Sequence, residues 1–233
     1  MQAQSTDINS VQIHPLSDRS LLVHFGNSIS PGINDRVLFL HNILKSHAFE
    51  GFIESVPAYA SMAVFYDTFK IRMAGISSAY EFAKKKVEEL LKMQHDLIMP
   101  LNEVINIPVY YGGENGPDIS IVAALHQLTT EEVIRLHCST IYRVYMIGFT
   151  PGFAYMGPVD KRIVTPRKDK PRILVPAGSV GIAGEQTGVY PMDSPGGWQI
   201  IGRTSRSLFD KNSSTPCLLK AGDRVQFVAT TKE

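Results

Sequence analysis

The chain has 233 residues, 44% of them hydrophobic, and its 23 Lys and Arg almost balance its 22 Asp and Glu for a net charge of +1. This composition suits one large or two small globular domains with their own cores, and it offers neither a basic field for nucleic acid nor an acidic disordered tail. No apolar run approaches the ~20 residues of a spanning helix, the start MQAQSTDINS lacks a charged-then-apolar signal pattern, and Cys138 and Cys217 are too few for a disulfide framework, so a cytoplasmic protein without membrane attachment is expected.

In chain order, residues 11–26 read as two short strands around a turn at residues 16–19, because Leu22, His24 and Gly26 alternate with Leu21, Val23 and Phe25. A helix follows. Ser30 can cap it, Pro31 sits at the first helical position, and Ile33, Val37, Leu40 and Leu44 make one apolar stripe with His41 packed beside it. Residues 52–59 and 61–66 read as a second strand pair. Ser78 and Glu81 form a capping-box pattern, after which Ala79, Ala83, Val87 and Leu90 share a face while Lys84, Lys85, Lys86, Glu88 and Glu89 face water. Residues 101–111 predict a further strand, and GGENGP breaks the pattern.

Two short helices are expected next, DISIVAALHQL and TTEEVIRLHCST, the second with Thr129 and Glu132 as a capping box. From residue 143 onward the chain becomes short apolar runs between Gly, Pro, Asp and Asn, which predicts an antiparallel barrel or sandwich. The fold class is therefore α+β. A small α+β sandwich over residues 1–100 precedes a connecting strand and linker over 101–117, and a barrel or sandwich of short strands with short leading helices covers 118–233.

The stretch PAGSVGIAGEQTGVYPMDSPGGWQIIGRT, residues 176–204, is dense in glycine and proline and holds the only tryptophan, Trp198. Such density marks tight turns in a barrel or close approach of backbone to a ligand, and composition leaves both open. There is no P-loop, no GxGxxG and no HExxH, and neither His126 nor His137 has a partner at metal-ligand spacing, so no metal site is expected. AGSVG around Ser179 imitates a nucleophile elbow, but the hydrolase order needs a later histidine and the last one is His137.

What remains is a set of sparse polar residues in an apolar frame. Glu185 with Gln186 would supply a carboxylate base and a positioning amide, while Arg167 and Arg172 would clamp a carboxylate or phosphate. The backbone amides around Gly178, Gly196 and Gly197, with Ser179, Ser194 and Arg203, would hold an oxyanion or polar substrate, and Tyr190 and Trp198 would wall the pocket. For the arginines the alternative is surface pairing with Asp169 and Asp193.

The strings YRVYMIGFTPGFAYMG (residues 142–157), TPRKDKPRILVPAGSVGIAGEQTGVYPMDSPGGWQIIGRT (165–204) and LLKAGDRVQF (218–227) resemble the B-subunit family of bacterial 5-oxoprolinase. That family includes the sporulation-kinase inhibitor KipI and is also labelled allophanate hydrolase subunit 1. LLVHFGNSISPGINDRV, PVYYGGENGPDI and LTTEEVIRLH extend the resemblance over nearly the whole chain. It implies a C-terminal barrel of cyclophilin type and partnership with a homologous C subunit, together with a separate A subunit. It further implies ATP, with Mg at the level of the complex, and a protein inactive alone that helps phosphorylate 5-oxoproline before the A subunit opens the ring to glutamate. The alternative implied role is inhibition of a sensor histidine kinase through the N-terminal domain.

Overall fold

Residues 11–93 and 103–231 are described in the computed structural model. The stretch read for a targeting signal and the first two residues of the strand expected from residue 101 lie outside them. The chain divides into Met1–Pro100 and Leu101–Glu233.

In the first unit the predicted strand pairs are β1 (Gln12–Ser17) with β2 (Ser20–His24) and β3 (Phe52–Pro57) with β4 (Ser61–Tyr66). They join as one antiparallel sheet of order β1-β2-β4-β3. Alternation puts Leu21, Val23, Met62, Val64 and Tyr66 on its buried face, in one cluster with Val37, Leu40 and Leu44 of α1 (Pro31–Ser46). The Ser30 hydroxyl accepts from Ile33 N at 3.2 Å and starts that helix. Unanticipated is α2 (Thr68–Met73), begun by the Asp67 carboxylate accepting from Phe69 N and Lys70 N. In α3 (Ala79–Leu91), Ser78 caps Glu81 N and Ala79, Ala83 and Val87 are buried. His41 Nδ1 meets the Ser55 hydroxyl at 2.8 Å, and burial together with the charge of Lys45 lowers its pKa to about 4.

In the second unit a closed barrel has the order β10-β7-β6-β13-β5-β12-β9. Its strands are β5 (Val104–Tyr111), β6 (Ile141–Ile147), β7 (Ala154–Gly157), β9 (Ser179–Ala183), β10 (Gln186–Val189), β12 (Gln199–Arg203) and β13 (Arg224–Ala229). A two-stranded ribbon of β8 (Arg172–Val175) and β11 (Ser194–Gly196) stands apart from it. The helices α4 (Ile119–Leu125) and α5 (Thr130–Ser139) follow β5, and the Thr129–Glu132 capping box closes with both bonds, 3.2 and 2.8 Å.

One expectation is corrected here. The strand assigned to a connector at 101–117 is a stave of the barrel, because β5 pairs in parallel with β13 from Val104↔Arg224 to Val109↔Ala229 and antiparallel with β12. Its alternate residues Ile107 and Val109 are fully buried in the barrel core. Strands β7, β10 and β11 are only three or four residues long and carry glycine, so no period of two was visible in them.

The barrel core includes Val144, Met156, Val180, Ile182, Val189, Val225 and Phe227. His137 sits among them, fully buried and stacked 4.6 Å from the Phe227 ring. Its Nδ1 bonds the Tyr111 hydroxyl at 2.7 Å and its Nε2 the Thr187 hydroxyl at 2.9 Å. Burial lowers its pKa to about 3, so it is a neutral, fully bonded core residue.

Candidate functional site

Strand β9 is buried on both faces. Val180 and Ile182 point into the barrel, while Ala183 and Val175 lie in a second cluster with Phe153, Tyr190, Trp198 and Ile200. The rings of Phe153, Tyr155, Tyr190 and Trp198 meet edge-on or tilted, with centroids 4.8–6.4 Å apart. Glycine is what lets this layer reach the barrel wall. A Cβ at Gly188 would come within 2.9 Å of the Ala154 carbonyl, 3.0 Å of Phe153 and 3.2 Å of Trp198, and one at Gly181 within 3.0 Å of Trp198 Cβ. The density of glycine over residues 176–204 is thus partly a packing requirement. Gly188→Ala is expected to destabilise the barrel unit by ~1–3 kcal/mol through overpacking, read as a lower urea midpoint with an unchanged m value.

Beside this layer lies a charge cluster centred on a residue that the sequence reading did not single out. Asp118 ends the GGENGPD turn with its side chain only 2% exposed. Its Oδ1 accepts from Arg172 Nη2 at 2.7 Å and Lys168 Nζ at 3.1 Å, and its Oδ2 accepts from Ile200 N at 2.7 Å. Burial pushes the Asp118 carboxyl up, yet the bonds from Arg172, Ile200 N and Lys168 outweigh it and hold the group below its ordinary value. Surface pairing of Arg172 with Asp169 or Asp193 is therefore replaced by a buried pair, and the Asp193 carboxylate accepts from Ala177 N instead. Asp118 precedes α4, where an aspartate reads as an ordinary N-cap, but its side chain makes no cap bond there.

Several polar atoms in this neighbourhood are buried without a partner: Arg172 Nη1, the Ser194 hydroxyl and Gln199 Oε1. Gln199 is fixed by its other amide atom, Nε2 donating to the Pro166 carbonyl at 3.1 Å. Ser194 and Gly196 pair across the ribbon with Val175 and Arg172. Burial raises the Tyr190 hydroxyl, against a backbone bond from Trp198 and the charges of Arg167 and Arg172, and it raises Tyr155 against Arg167. Arg167, Arg172, Tyr190, Ser194, Gly196, Gly197 and Trp198 are thereby gathered around the ribbon, Gly197 through its carbonyl accepting from Lys168 N.

The other predicted residues fall elsewhere. Gly178, Arg203 and again Tyr190 line an open cavity of about 490 Å³. Ser179 is buried in β9 and pairs with Arg203 across β12, which rules it out as an exposed nucleophile. Glu185 is exposed in the turn of the β9–β10 hairpin, while Gly178 precedes the opposite end of the same hairpin. At ~3.3 Å per residue the two lie on the order of 15 Å apart, so Glu185 and Gln186 do not share the cavity with Gly178 and Arg203. Among the described residues no group of three or more His, Cys, Asp or Glu could hold a metal ion, and no helix is long and apolar enough to cross a membrane.

A family model for the carboxyltransferase domain, subdomain C and D, matches residues 11–219. The chain is 45% identical over 225 residues, 95% of its own length and 94% of the relative's, to the B subunit of 5-oxoprolinase from Bacillus subtilis. It belongs to the 5-oxoprolinase B-subunit family. The corresponding B subunit from Escherichia coli O157:H7 is 52% identical over 135 residues, covering 58% of this chain and 62% of that one. Among solved structures, TTHA0988 matches with a TM-score of 0.80 at 36% identity, over 92% of this chain and 41% of that one. The chain thus spans about two fifths of that longer polypeptide. PH0987 from Pyrococcus horikoshii matches with a TM-score of 0.54 at 44% identity over 94% and 97% of the two chains. In this member of the B-subunit family, both the PDI turn with Asp118 and the TPRKDKPR segment with Lys168 and Arg172 fall inside the matched region.

Proposed function

We propose that this chain is the B component of an ATP-dependent 5-oxoprolinase, inactive alone, which together with a homologous C subunit, prepares 5-oxoproline for ring opening to glutamate by an A subunit. The observation that carries the reading is the cluster around Asp118. One buried carboxylate faces two cations, which leaves a net positive charge, and Arg172 Nη1 is buried with no partner. An unpartnered buried donor of this kind is costly unless a ligand satisfies it.

5-Oxoproline fits these groups chemically. Its carboxylate suits the Arg172 and Lys168 donors, while the unpartnered Gln199 Oε1 and Ser194 hydroxyl offer an acceptor and a donor for the lactam N–H and C=O. ATP, when bound, supplies the phosphoryl group that turns the lactam oxygen into a leaving group. The chain's own part is to hold the lactam, exclude water with the layer of Phe153, Tyr155, Tyr190 and Trp198, and orient the Arg172 fork through Asp118. Arg167 and the Glu185–Gln186 turn, exposed or half-exposed, are where a partner barrel would complete the site.

The test is 5-oxoproline-dependent ADP release by the purified chain mixed with C and A subunits. Arg172→Lys keeps the charge but loses the planar fork, and is expected to lower kcat/KM by about 10–100-fold while the fold, followed by Trp198 fluorescence, stays intact. A fully assembled mixture that hydrolyses no ATP in response to 5-oxoproline overturns the reading.

A further inference from the structure

The cavity of about 490 Å³ is distinct in chemistry from the Asp118 cluster. Gly178 sits at its floor with φ +83°, its N–H donating to the Tyr190 carbonyl at 2.7 Å and its carbonyl accepting from Thr204 N at 2.9 Å. A side chain at Gly178 would collide with the Thr204 carbonyl, so glycine is required for these three segments to meet. The rim is basic. Arg203 and Arg206 both line it, and none of its lining residues is a carboxylate.

Each guanidinium is tied down by one N–H on a main-chain carbonyl, Arg203 Nε to Ala177 O at 2.8 Å and Arg206 Nη1 to Asn106 O at 2.7 Å. Tethers of this kind set the plane of each fork, and a fixed fork loses little freedom when it binds a tetrahedral oxyanion. The segment between the two arginines is shaped as well, with the Thr204 hydroxyl accepting from Arg206 N at 3.1 Å. Ser205 and Ser207 add hydroxyls, and Tyr110, paired with Arg203 across β5 and β12, adds a phenol. Two cations without a lining counter-charge suit a ligand with more than one negative charge. A volume of about 490 Å³ falls in the ~300–1,000 Å³ range of clefts that hold drug-sized molecules, far more than one five-membered lactam occupies.

We infer that this cavity binds a polyphosphate-bearing anion, with Arg203 and Arg206 holding the phosphoryl groups and the rest of the ligand filling the space toward Tyr110 and Asn115. Within the 5-oxoprolinase reading, on which the choice of nucleotide rests, this is the activating nucleoside triphosphate; the same chemistry would accept an inorganic polyphosphate. A divalent cation carried by the ligand would be held by phosphate oxygens and water, since the lining offers no carboxylate.

The test is calorimetric titration of the full chain, alone and assembled with its partner subunits, with sodium tripolyphosphate, ATP and adenosine. Tripolyphosphate is expected to bind, more weakly as salt rises, and Arg203→Gln and Arg206→Gln are each expected to weaken it at least tenfold. Glutamine retains an N–H for the main-chain carbonyl, and protection of Trp198 against urea checks that each variant folds. ATP binding tighter than tripolyphosphate supports the nucleotide as occupant; equal affinities support the inorganic anion. Absence of tripolyphosphate binding in both preparations, or unchanged binding in both variants, overturns the inference. Binding lost in Arg203→Gln but untouched in Arg172→Lys, with no 5-oxoproline turnover by the assembly, would sink the proposed enzyme function and leave this site standing.

Discussion

Asp118→Ala is expected to destabilise the barrel unit by about 3–5 kcal/mol, the range for breaking a buried ion pair by deleting one partner. Three losses combine. Arg172 and Lys168, with side chains only 27% and 25% exposed, lose their counter-ion, and the main-chain N–H of Ile200 loses its acceptor. Asp118→Asn keeps an acceptor for Ile200 N and is expected to cost less, with the difference reporting the charge. The only tryptophan of the chain is Trp198, in the barrel unit, so its fluorescence during urea unfolding reads this unit alone. An unfolding free energy for Asp118→Ala within about 0.5 kcal/mol of the wild type would show that the pair contributes nothing. The pH dependence has a definite sign. Because the folded carboxyl lies below its ordinary value, its contribution is present above the unfolded pKa of about 3.9 and is lost as pH falls through the folded value.

The second large effect sits in the barrel core and acts at milder pH. His137 has a folded pKa of about 3 against about 6.5 when unfolded, so between these values the unfolded chain binds one more proton. Stability is therefore undiminished by this group above pH about 6.5 and falls by up to ~1.4 kcal/mol per unit below it, on the order of 3 kcal/mol by pH 4.5. His137→Gln offers both a donor and an acceptor to the Tyr111 and Thr187 hydroxyls without a proton to take up. It is expected to be less stable at pH 7.5, because the stack on Phe227 is lost, but flatter between pH 6.5 and 4.5. Equal slopes for wild type and variant, followed by Trp198 fluorescence, would refute the assignment. His41 gives the first unit a similar, smaller sensitivity, which this probe does not see.

What was legible in the sequence follows from which interactions are local. The Ser30 hydroxyl with Ile33 N and Thr129 with Glu132 bond within four residues, so both helix starts could be read from spacing, as could the alternation of β2 and β4. The α+β class followed from the same local patterns, which left barrel and sandwich open for the C-terminal half; the closed barrel was expected from the resemblance to the B-subunit family. Asp118 and Arg172 are 54 residues apart, and nothing local distinguishes that aspartate from a helix cap. The glycine-rich stretch is unusual in composition, but its glycines answer to two demands. Gly181 and Gly188 admit aromatic rings to the barrel wall, while Gly178 closes the floor of a cavity. Composition cannot separate those demands because both are satisfied by the same missing side chain. Arg172 meets Asp118, whereas the β9–β10 hairpin carries the Glu185 turn to the end opposite Gly178, a separation that sparse charges in a sequence do not display.

The parallel zipper of β5 with β13 has a bearing on how the protein is made. It joins Val104 to Arg224, so the barrel's first stave waits for one of its two neighbours until some 120 further residues have left the ribosome. The opposite edge of β13 meets β6, so the same late strand also seals the seam to that part of the wall. Until it arrives, the apolar faces of Ile107 and Val109 and the ring of His137 have no Phe227 to cover them. Closure of the barrel is thus a long-range, late event of high contact order, in contrast to the first unit, whose sheet is assembled from two local hairpins before the barrel's last strand exists.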